Sequence, residues 1–211
     1  MKPDLEELCM CFPPSLLDAW QKGDYAMLTD SKASTYIKGI LIEKAKQRQG
    51  RRFFGEAFIA SRIEMKEGWY SSFKWLTQEK WLSGENLYSG FEWNFHIALV
   101  RLFGIDKFTI LQERANALFN AHEGKLGGSK PVAPDLCIVA QDGSIQFIES
   151  KLPGDTIKVH QIAGMALIKK YLESLNNAIK VSIIELTPGH SSEPTPINRN
   201  KAIFTEFYNL A

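Results

Sequence analysis

Two acids and a lysine stand close together in the middle of the chain, and their types and spacing suit phosphodiester chemistry. Asp135 follows Pro134, Glu149 lies fourteen residues later, and Lys151 comes two positions after that. Carboxylate oxygens are the ligands that hard cations such as Mg²⁺ prefer. A lysine beside them supplies a compact positive charge that can approach a water molecule or a phosphate oxygen. These side chains could therefore hold a divalent cation beside a phosphodiester.

The segment between the acids is predicted to be a β-hairpin, and its register decides whether the acids meet. Two apolar runs flank the turn signal Asp142-Gly143. A two-residue loop would pair Asp135 with Ser150 and leave Glu149 on the opposite face. A three-residue loop closed by Gly143 at positive φ pairs Asp135 with Glu149. We favour the second form, which brings the two Cβ atoms within roughly 4.5–5.5 Å and calls for a cation between the carboxylates.

The segment after the hairpin is predicted to be a helix that lies against the same site. Leu152-Pro153-Gly154 ends the strand, and Asp155 is a suitable N-cap for a helix over residues 156–175. Gln161 is the one polar member of the apolar stripe of this helix. Because a buried amide needs hydrogen-bond partners, Gln161 is either a satisfied core residue or a side chain that orients a metal ligand or a water.

The four sequence blocks together resemble the PD-(D/E)xK nuclease superfamily, and within it the virus-type replication-repair nuclease (VRR-NUC) branch. The blocks are Ala133-Pro134-Asp135-Leu136, Glu149-Ser150-Lys151, Pro153-Gly154-Asp155 and Gln161. The resemblance implies an α/β (α+β) restriction-endonuclease-like core, in which a helix precedes a central mixed sheet and a further helix and strand follow. It also implies a Mg²⁺-dependent endonuclease that hydrolyses DNA phosphodiester bonds in repair, recombination, restriction or phage DNA processing, with Mn²⁺ as a substitute cation.

The resemblance also implies a role for each residue of the site. The implied metal ligands are Asp135, Glu149, Ser150 and Glu92. Lys151 would position and activate the attacking water or stabilise charge on the phosphate, and Gln161 would match the glutamine of the helix after the motif. The chain departs from the family pattern at two positions, since Ser150 replaces an apolar residue and Ala133 replaces a glycine. Neither departure removes a catalytic group.

The family places one more acid on the helix before the sheet, and three glutamates are candidates for it. Glu92 stands in the first turn of a predicted helix that ends at Gly104, where a carboxylate also suits the helix dipole. Glu113, on a predicted strand, is the second candidate. Glu56 is the third, within residues 53–63, which are predicted to be a strand or a broken hairpin. We favour Glu92.

Composition indicates a folded globular protein without a membrane span. The chain has 211 residues, a hydrophobic content of 45% and a formal net charge of +1. No stretch approaches the about 18 consecutive apolar residues of a membrane helix, and the acidic N-terminus lacks a signal-peptide pattern. Three cysteines make no disulfide framework, which favours a reducing cytoplasm.

A DNA partner must be held by local patches of charge, because the balanced net charge gives no basic arm. The best patch consists of Lys44, Lys46, Arg48, Arg51 and Arg52. It either positions phosphates or is simply the solvated end of a predicted helix. A homodimer would let two sites cut two strands, although no self-complementary surface is evident in the sequence.

The chain is predicted to divide into an extension and a catalytic domain. Residues 1–85 form a mainly helical N-terminal extension that packs on the nuclease-like residues 86–211. Four tryptophans near the boundary are expected to form the core between the two parts rather than to stack on bases: Trp69, Trp75, Trp81 and Trp93.

Two rival hypotheses stay open. A nucleic-acid-binding module could keep the same fold without cleaving, although such a module has no need of apposed carboxylates. The motif could also be a chance pattern in an unrelated α/β protein.

Overall fold

A computed structural model describes residues 3–48, 50–71, 73–77, 90–173, 178–190 and 193–211. They form a mixed α/β structure in which helices flank a six-stranded sheet of order β2-β3-β4-β5-β1-β6. The strands are β1 (Glu6–Phe12), β2 (Glu67–Tyr70), β3 (Leu136–Val139), β4 (Ile145–Lys151), β5 (Ile179–Pro188) and β6 (Thr195–Pro196). Strand β5 runs parallel to β4 and β1, and the other pairs are antiparallel. The predicted mixed sheet with flanking helices is thus confirmed.

Helices cover both faces of the sheet. They are α1 (Pro14–Gln21), α2 (Ala26–Thr29), α3 (Thr35–Arg48), α4 (Phe54–Arg62), α5 (Gly90–Phe103), α6 (Ile105–His122), α7 (Val159–Leu172) and α8 (Lys201–Leu210), with a 3₁₀ turn at Phe73–Leu76. None of the described helices is long and apolar enough to cross a membrane.

Each face of the sheet has its own apolar core, because successive strand residues point to opposite sides. Ile148 on β4 packs with Phe54 and Phe58 of α4 on one face. Its neighbour Phe147 packs on the other face with Trp75 and with helices α5 to α8. The central strands therefore have little exposed surface, and they are fixed from both sides at the end where the acids stand.

Residues 1–85 contribute to this sheet as well as to the helices. Strand β1 lies between β5 and β6, and β2 pairs with β3. The predicted boundary at residue 85 lies outside the described residues and stays a prediction. Trp69 and Trp75 are buried in the core as predicted, whereas Trp81 and the side chain of Trp93 lie outside the described part of the chain.

Three local predictions were wrong. Residues 53–63 are not a strand, because α4 occupies them, and Glu113 lies on helix α6 rather than on a strand. Short apolar runs suit a buried helix as well as a strand, and here helical packing prevails. Asp155 is not the N-cap of α7, which begins at Val159, since its side chain folds back to accept the Leu152 N–H.

Candidate active site

The hairpin adopts the three-residue loop, and this register brings the two acids face to face. Val139 pairs with Ile145 and Leu136 with Ile148, so that the next residues outward, Asp135 and Glu149, are opposite one another. Gly143 has a φ of 82° and donates its N–H to the Ala140 carbonyl at 3.0 Å. Only glycine adopts this conformation without strain, so the turn sequence sets the register of the site.

The acids open onto a cavity of about 700 Å³ at the end of β3 and β4. Its polar lining comes from both sides of the sheet and includes Glu56, Asp135, Glu149, Ser150, Lys151 and Gln161. Four predicted site residues and the predicted Ser150 ligand are therefore brought together. The cavity is open enough to admit a phosphate group with its surrounding water.

Asp135 is held at one oxygen by the residue that follows Glu149. The Ser150 N–H donates to Asp135 Oδ2 at 3.0 Å, and the Ser150 hydroxyl donates to the same atom at 3.2 Å. The serine that departs from the family pattern thus fixes the orientation of the aspartate. No hydrogen bond to Asp135 Oδ1 exists within the described part of the chain.

Glu149 is buried, and it is also held at one oxygen. Lys151 Nζ and Gln161 Nε2 each donate to Glu149 Oε1 at 2.5 Å. Gln161 Oε1 in turn accepts the Lys158 N–H at 2.9 Å at the start of α7. The amide therefore links helix α7 to Glu149, and the role predicted for Gln161 in orienting a metal ligand stays a prediction. Within the described ranges no hydrogen bond reaches Glu149 Oε2, so this oxygen is available to a further partner.

Helix α4 brings a third acid into the cavity from the opposite face. Glu56 stands in the first turn of α4 and lines the cavity. A Cβ added at Gly55 would lie 3.1 Å from Ser150 Oγ, so the glycine allows α4 to approach β4 closely. Glu113 is exposed on α6 and does not line the cavity, and the side chain of Glu92 lies outside the described residues.

Burial makes all three carboxyl groups harder to ionise, and neighbouring negative charges add to the effect. Desolvation, and after it the charge of Asp135, raises the pKa of Glu56 to about 8, although Lys151 and the Ser150 hydroxyl oppose the rise. Burial also raises the pKa of Asp135. The pKa of Glu149 lies well above its usual range, first through burial and then through the charge of Asp135. Lys151 is the one lysine in the described lining of the cavity that holds these three acids, and Arg51 and Arg52 also line it.

The donors of the site fit a hard divalent cation. Across the described residues, no group of three or more His, Cys, Asp or Glu side chains is preassembled at metal-binding spacing. The free oxygens of Asp135 and Glu149 nevertheless belong to the ligand class that Mg²⁺ and Mn²⁺ prefer. With Glu56 beside them, these oxygens could close around a cation that keeps several of its waters.

Two members of the predicted basic patch reach the cavity. Arg51 and Arg52 line it. Arg51 bonds the Pro153 carbonyl and pairs with Asp155, each at 2.9 Å, whereas no ion pair of Arg52 exists among the described side chains. Lys46 and Arg48 are exposed on α3 and do not line the cavity. Arg52 is therefore the member best placed to meet a phosphate.

One signal in the sequence could have identified Glu56. It is the single charged residue between Arg52 and Arg62, and it interrupts an otherwise apolar run. A carboxylate inside such a run must find compensation elsewhere in the fold.

Comparisons with protein-family models, with curated proteins and with solved structures found no match. The assignment of the site therefore depends on its own geometry and charge.

Proposed function

We propose that this protein is a metal-dependent deoxyribonuclease with a PD-(D/E)xK-type active site. The observation that carries the proposal is the apposition of Asp135 and Glu149 across the hairpin, with Lys151 bonded to Glu149 and Glu56 in the same cavity. A charged cluster of this kind is costly to bury, and clusters with such perturbed acids concentrate at functional sites. Mg²⁺ is the proposed cofactor, and Mn²⁺ is expected to replace it.

The order of the elements supports the proposal. Helix α4, strands β2 to β4, helix α7 and strand β5 follow one another as the helix, sheet, helix and further strand of the resemblance. Helices α5 and α6 are then an insertion between β2 and β3. In this proposal α4 is the helix before the sheet, and Glu56 takes the role that the sequence assigned to Glu92.

The chain supplies the groups that hold and orient the reacting atoms. A bound divalent cation would neutralise the phosphate and lower the pKa of a coordinated water. Asp135 Oδ1 and Glu149 Oε2 are the oxygens that would hold it, because Ser150, Lys151 and Gln161 engage the other oxygen of each acid. The fixed geometry means that little reorganisation is needed when the substrate binds.

Lys151 is proposed to act on the phosphate side of the site. Its ammonium is largely buried and donates to Glu149, which fixes its position beside the cavity. A positive charge held there can stabilise the charge that develops on the phosphate oxygens or orient the attacking water. Lys151→Ala should therefore reduce the rate of cleavage more than the affinity for the metal, whereas Asp135→Asn should reduce both.

The test is cleavage of a panel of linear, nicked, flapped, four-way and single-stranded DNAs with Mg²⁺ or Mn²⁺. We expect the unaltered protein to cut at least one of them and Asp135→Asn to lose at least about a hundredfold in rate, the scale of several kcal/mol of lost transition-state stabilisation. Glu113→Gln is the matched control, because this exposed acid lies outside the cavity.

Two outcomes would contradict the proposal. Full activity in folded Asp135→Asn would show that another site performs the cleavage. Binding of DNA without cleavage of any panel member, with either cation, would favour the non-cleaving module instead. Calorimetric titration of Mg²⁺ into the unaltered protein and into Asp135→Asn would separate these cases, because only the nuclease hypothesis requires a cation bound by Asp135.

A further inference from the structure

An aromatic pair with a lysine over it stands beside the cavity. Phe53, which precedes α4, lines the cavity, and its ring centroid lies 5.8 Å from that of Tyr70 on β2 in an edge-to-face arrangement. Lys44 Nζ on α3 is 5.7 Å from the Phe53 ring centroid and 5.1 Å from that of Tyr70. All three side chains are half-buried, so three different elements place them at the same partly exposed position.

The backbone of Phe53 indicates that this ring is held in place at a cost. Phe53 has a φ of 63°, and within the described ranges no other residue except glycine has a positive φ. An asparagine or a glycine would adopt this conformation more easily than a phenylalanine. Strained residues of this kind concentrate at functional sites, where the surrounding structure fixes them.

The aromatic pair also lies close to the reactive end of the cavity. Burial and then the charges of Asp135, Glu56 and Glu149 raise the pKa of the Tyr70 hydroxyl. The tyrosine is therefore within electrostatic reach of all three acids. Because Phe53 lines the same cavity as the acids, its ring is available to a nucleoside whose phosphate enters that cavity.

We propose that Phe53 stacks on an unpaired nucleobase, with Tyr70 packed against Phe53 in the edge-to-face arrangement and Lys44 adding positive charge. The inference rests on the proposed nuclease function and specifies its substrate as DNA that is single-stranded at the cleaved nucleotide. In a continuous duplex both faces of each base are covered by neighbouring bases, so a protein ring can stack only on a base that has left the helix. Stacking of this kind tolerates any base.

The experiment measures binding in the Asp135→Asn background, so that cleavage does not interfere. The probes are a single-stranded oligonucleotide carrying 2-aminopurine, the same strand within a duplex, and the same strand with an abasic position in place of the fluorescent base. Phe53→Leu is expected to weaken single-strand binding about fivefold to a hundredfold, the range of one lost base–aromatic stack, and to relieve the quenching of 2-aminopurine. Duplex binding should change less than about twofold, since no stack forms there.

Phe119→Leu is the matched control. Phe119 is also a half-buried ring with a lysine over it, Lys130 Nζ at 5.9 Å, but it lies on α6 away from the cavity. Its loss should leave both affinities and the quenching unchanged. Phe53→Gly provides a second variant that also removes the ring but relieves the left-handed strain, so a folded protein without the ring is available.

Unchanged single-strand affinity and quenching in folded Phe53→Leu and Phe53→Gly would overturn the stacking inference. Equal losses on single strand and duplex would overturn it too, because they would show a general loss of backbone binding. If the unaltered protein cleaves DNA while these results are negative, the nuclease proposal stands and only the substrate assignment fails. If Phe53-dependent quenching is present but no DNA is cleaved, the nuclease proposal fails and the stacking site remains.

Discussion

Glu7 and Glu149 are two buried glutamates of the same sheet, and their surroundings differ completely. Glu7 on β1 is 3% exposed and Glu149 on β4 is 2% exposed. The carboxylate of Glu7 accepts the Arg199 N–H at 3.0 Å, the Asn200 N–H at 2.9 Å and the Asn200 side-chain amide at 2.7 Å. Both of its oxygens are satisfied by neutral donors just before α8, where the helix dipole also favours a negative charge.

Glu149 has a cationic partner in Lys151, but two other acids act on it, and among the described residues hydrogen bonds reach only one of its oxygens. Lys151 and Gln161 share that oxygen, and Asp135 and Glu56 add repulsion. Burial alone therefore does not identify a functional acid. The proposal for Glu149 rests instead on an excess of negative charge and on an oxygen without a hydrogen-bond partner among the described residues.

The prediction with the largest expected effect compares one substitution at each of the two sites. Glu7→Gln should lower the free energy of unfolding by about 2–4 kcal/mol, because an amide cannot accept all the backbone N–H groups that the carboxylate satisfies. Asp135→Asn should change it by less than about 1 kcal/mol in metal-free protein, since the amide oxygen still accepts from Ser150 and a repulsive charge is removed. Chemical denaturation without divalent cations measures both values.

The same two substitutions also separate stability from activity. Folded Glu7→Gln should keep its cleavage activity, whereas Asp135→Asn should lose it. A stable, active Glu7→Gln together with an unstable Asp135→Asn would reverse the roles assigned to the two regions.

The second test uses pH, because burial makes the folded protein hold the Glu56 proton more tightly than the unfolded chain does. Burial and the charge of Asp135 raise the pKa of Glu56 from 4.5 to about 8. The unfolded chain releases this proton at lower pH than the folded one. The free energy of unfolding of metal-free protein should therefore fall as pH rises from about 4.5 to about 8, with up to about 1.4 kcal/mol lost per pH unit for one such group.

Glu56→Gln should remove much of this fall of the unfolding free energy with pH. Mg²⁺ should reduce the fall in the unaltered protein, because the cation replaces the proton as the balancing charge. Glu206→Gln is the control, because Glu206 on α8 is an exposed acid paired with Lys125. This substitution should leave the pH dependence of the unfolding free energy unchanged. Unfolding titrations at pH 5, 6, 7 and 8 provide the measurement. Stability that rises over this range and is indifferent to Glu56→Gln would contradict the assigned electrostatics.

The sequence was sufficient to predict the half of the site that depends on local rules. The turn residues of the hairpin set its register, and the register places Asp135 opposite Glu149. The spacing of Gln161 on the following helix was informative for the same reason, because the helix start lies close to the strand end, where Gln161 bonds Glu149. Each of these steps spans few residues and follows from backbone geometry.

The other half of the site could not be predicted, because it depends on packing between distant segments. Glu56 reaches the cavity only because α4 packs on β4, almost a hundred residues later in the chain. The run that contains Glu56 has no periodicity that separates a helix from a strand. Ser150 was noted as a departure from the family pattern, yet its bonds to Asp135 were visible only in three dimensions.

The prediction with the smallest expected effect concerns the close packing that brings Glu56 to the other acids. It compares two glycines that lie in helices. A Cβ at Gly39 on α3 would meet nothing within 4 Å, whereas a Cβ at Gly55 on α4 would meet Ser150 Oγ at 3.1 Å and Ser150 Cβ at 3.3 Å. Gly39→Ala should stabilise the protein by about 0.5–1 kcal/mol through helix propensity alone. Gly55→Ala should show no such stabilisation, because the close contact of its new Cβ with Ser150 offsets the gain from helix propensity.

Because Gly55→Ala also pushes α4 away from β4, it should lower cleavage about tenfold while the fold survives, as expected when a catalytic group is misplaced by a fraction of an ångström. Thermal unfolding and cleavage rates of both variants provide the comparison. Equal stabilisation by the two substitutions, with activity intact in both, would show that the approach of α4 is loose. Glu56 would then lie near the pocket without being held there, and the contrast with Glu7 would rest on Asp135 and Glu149 alone.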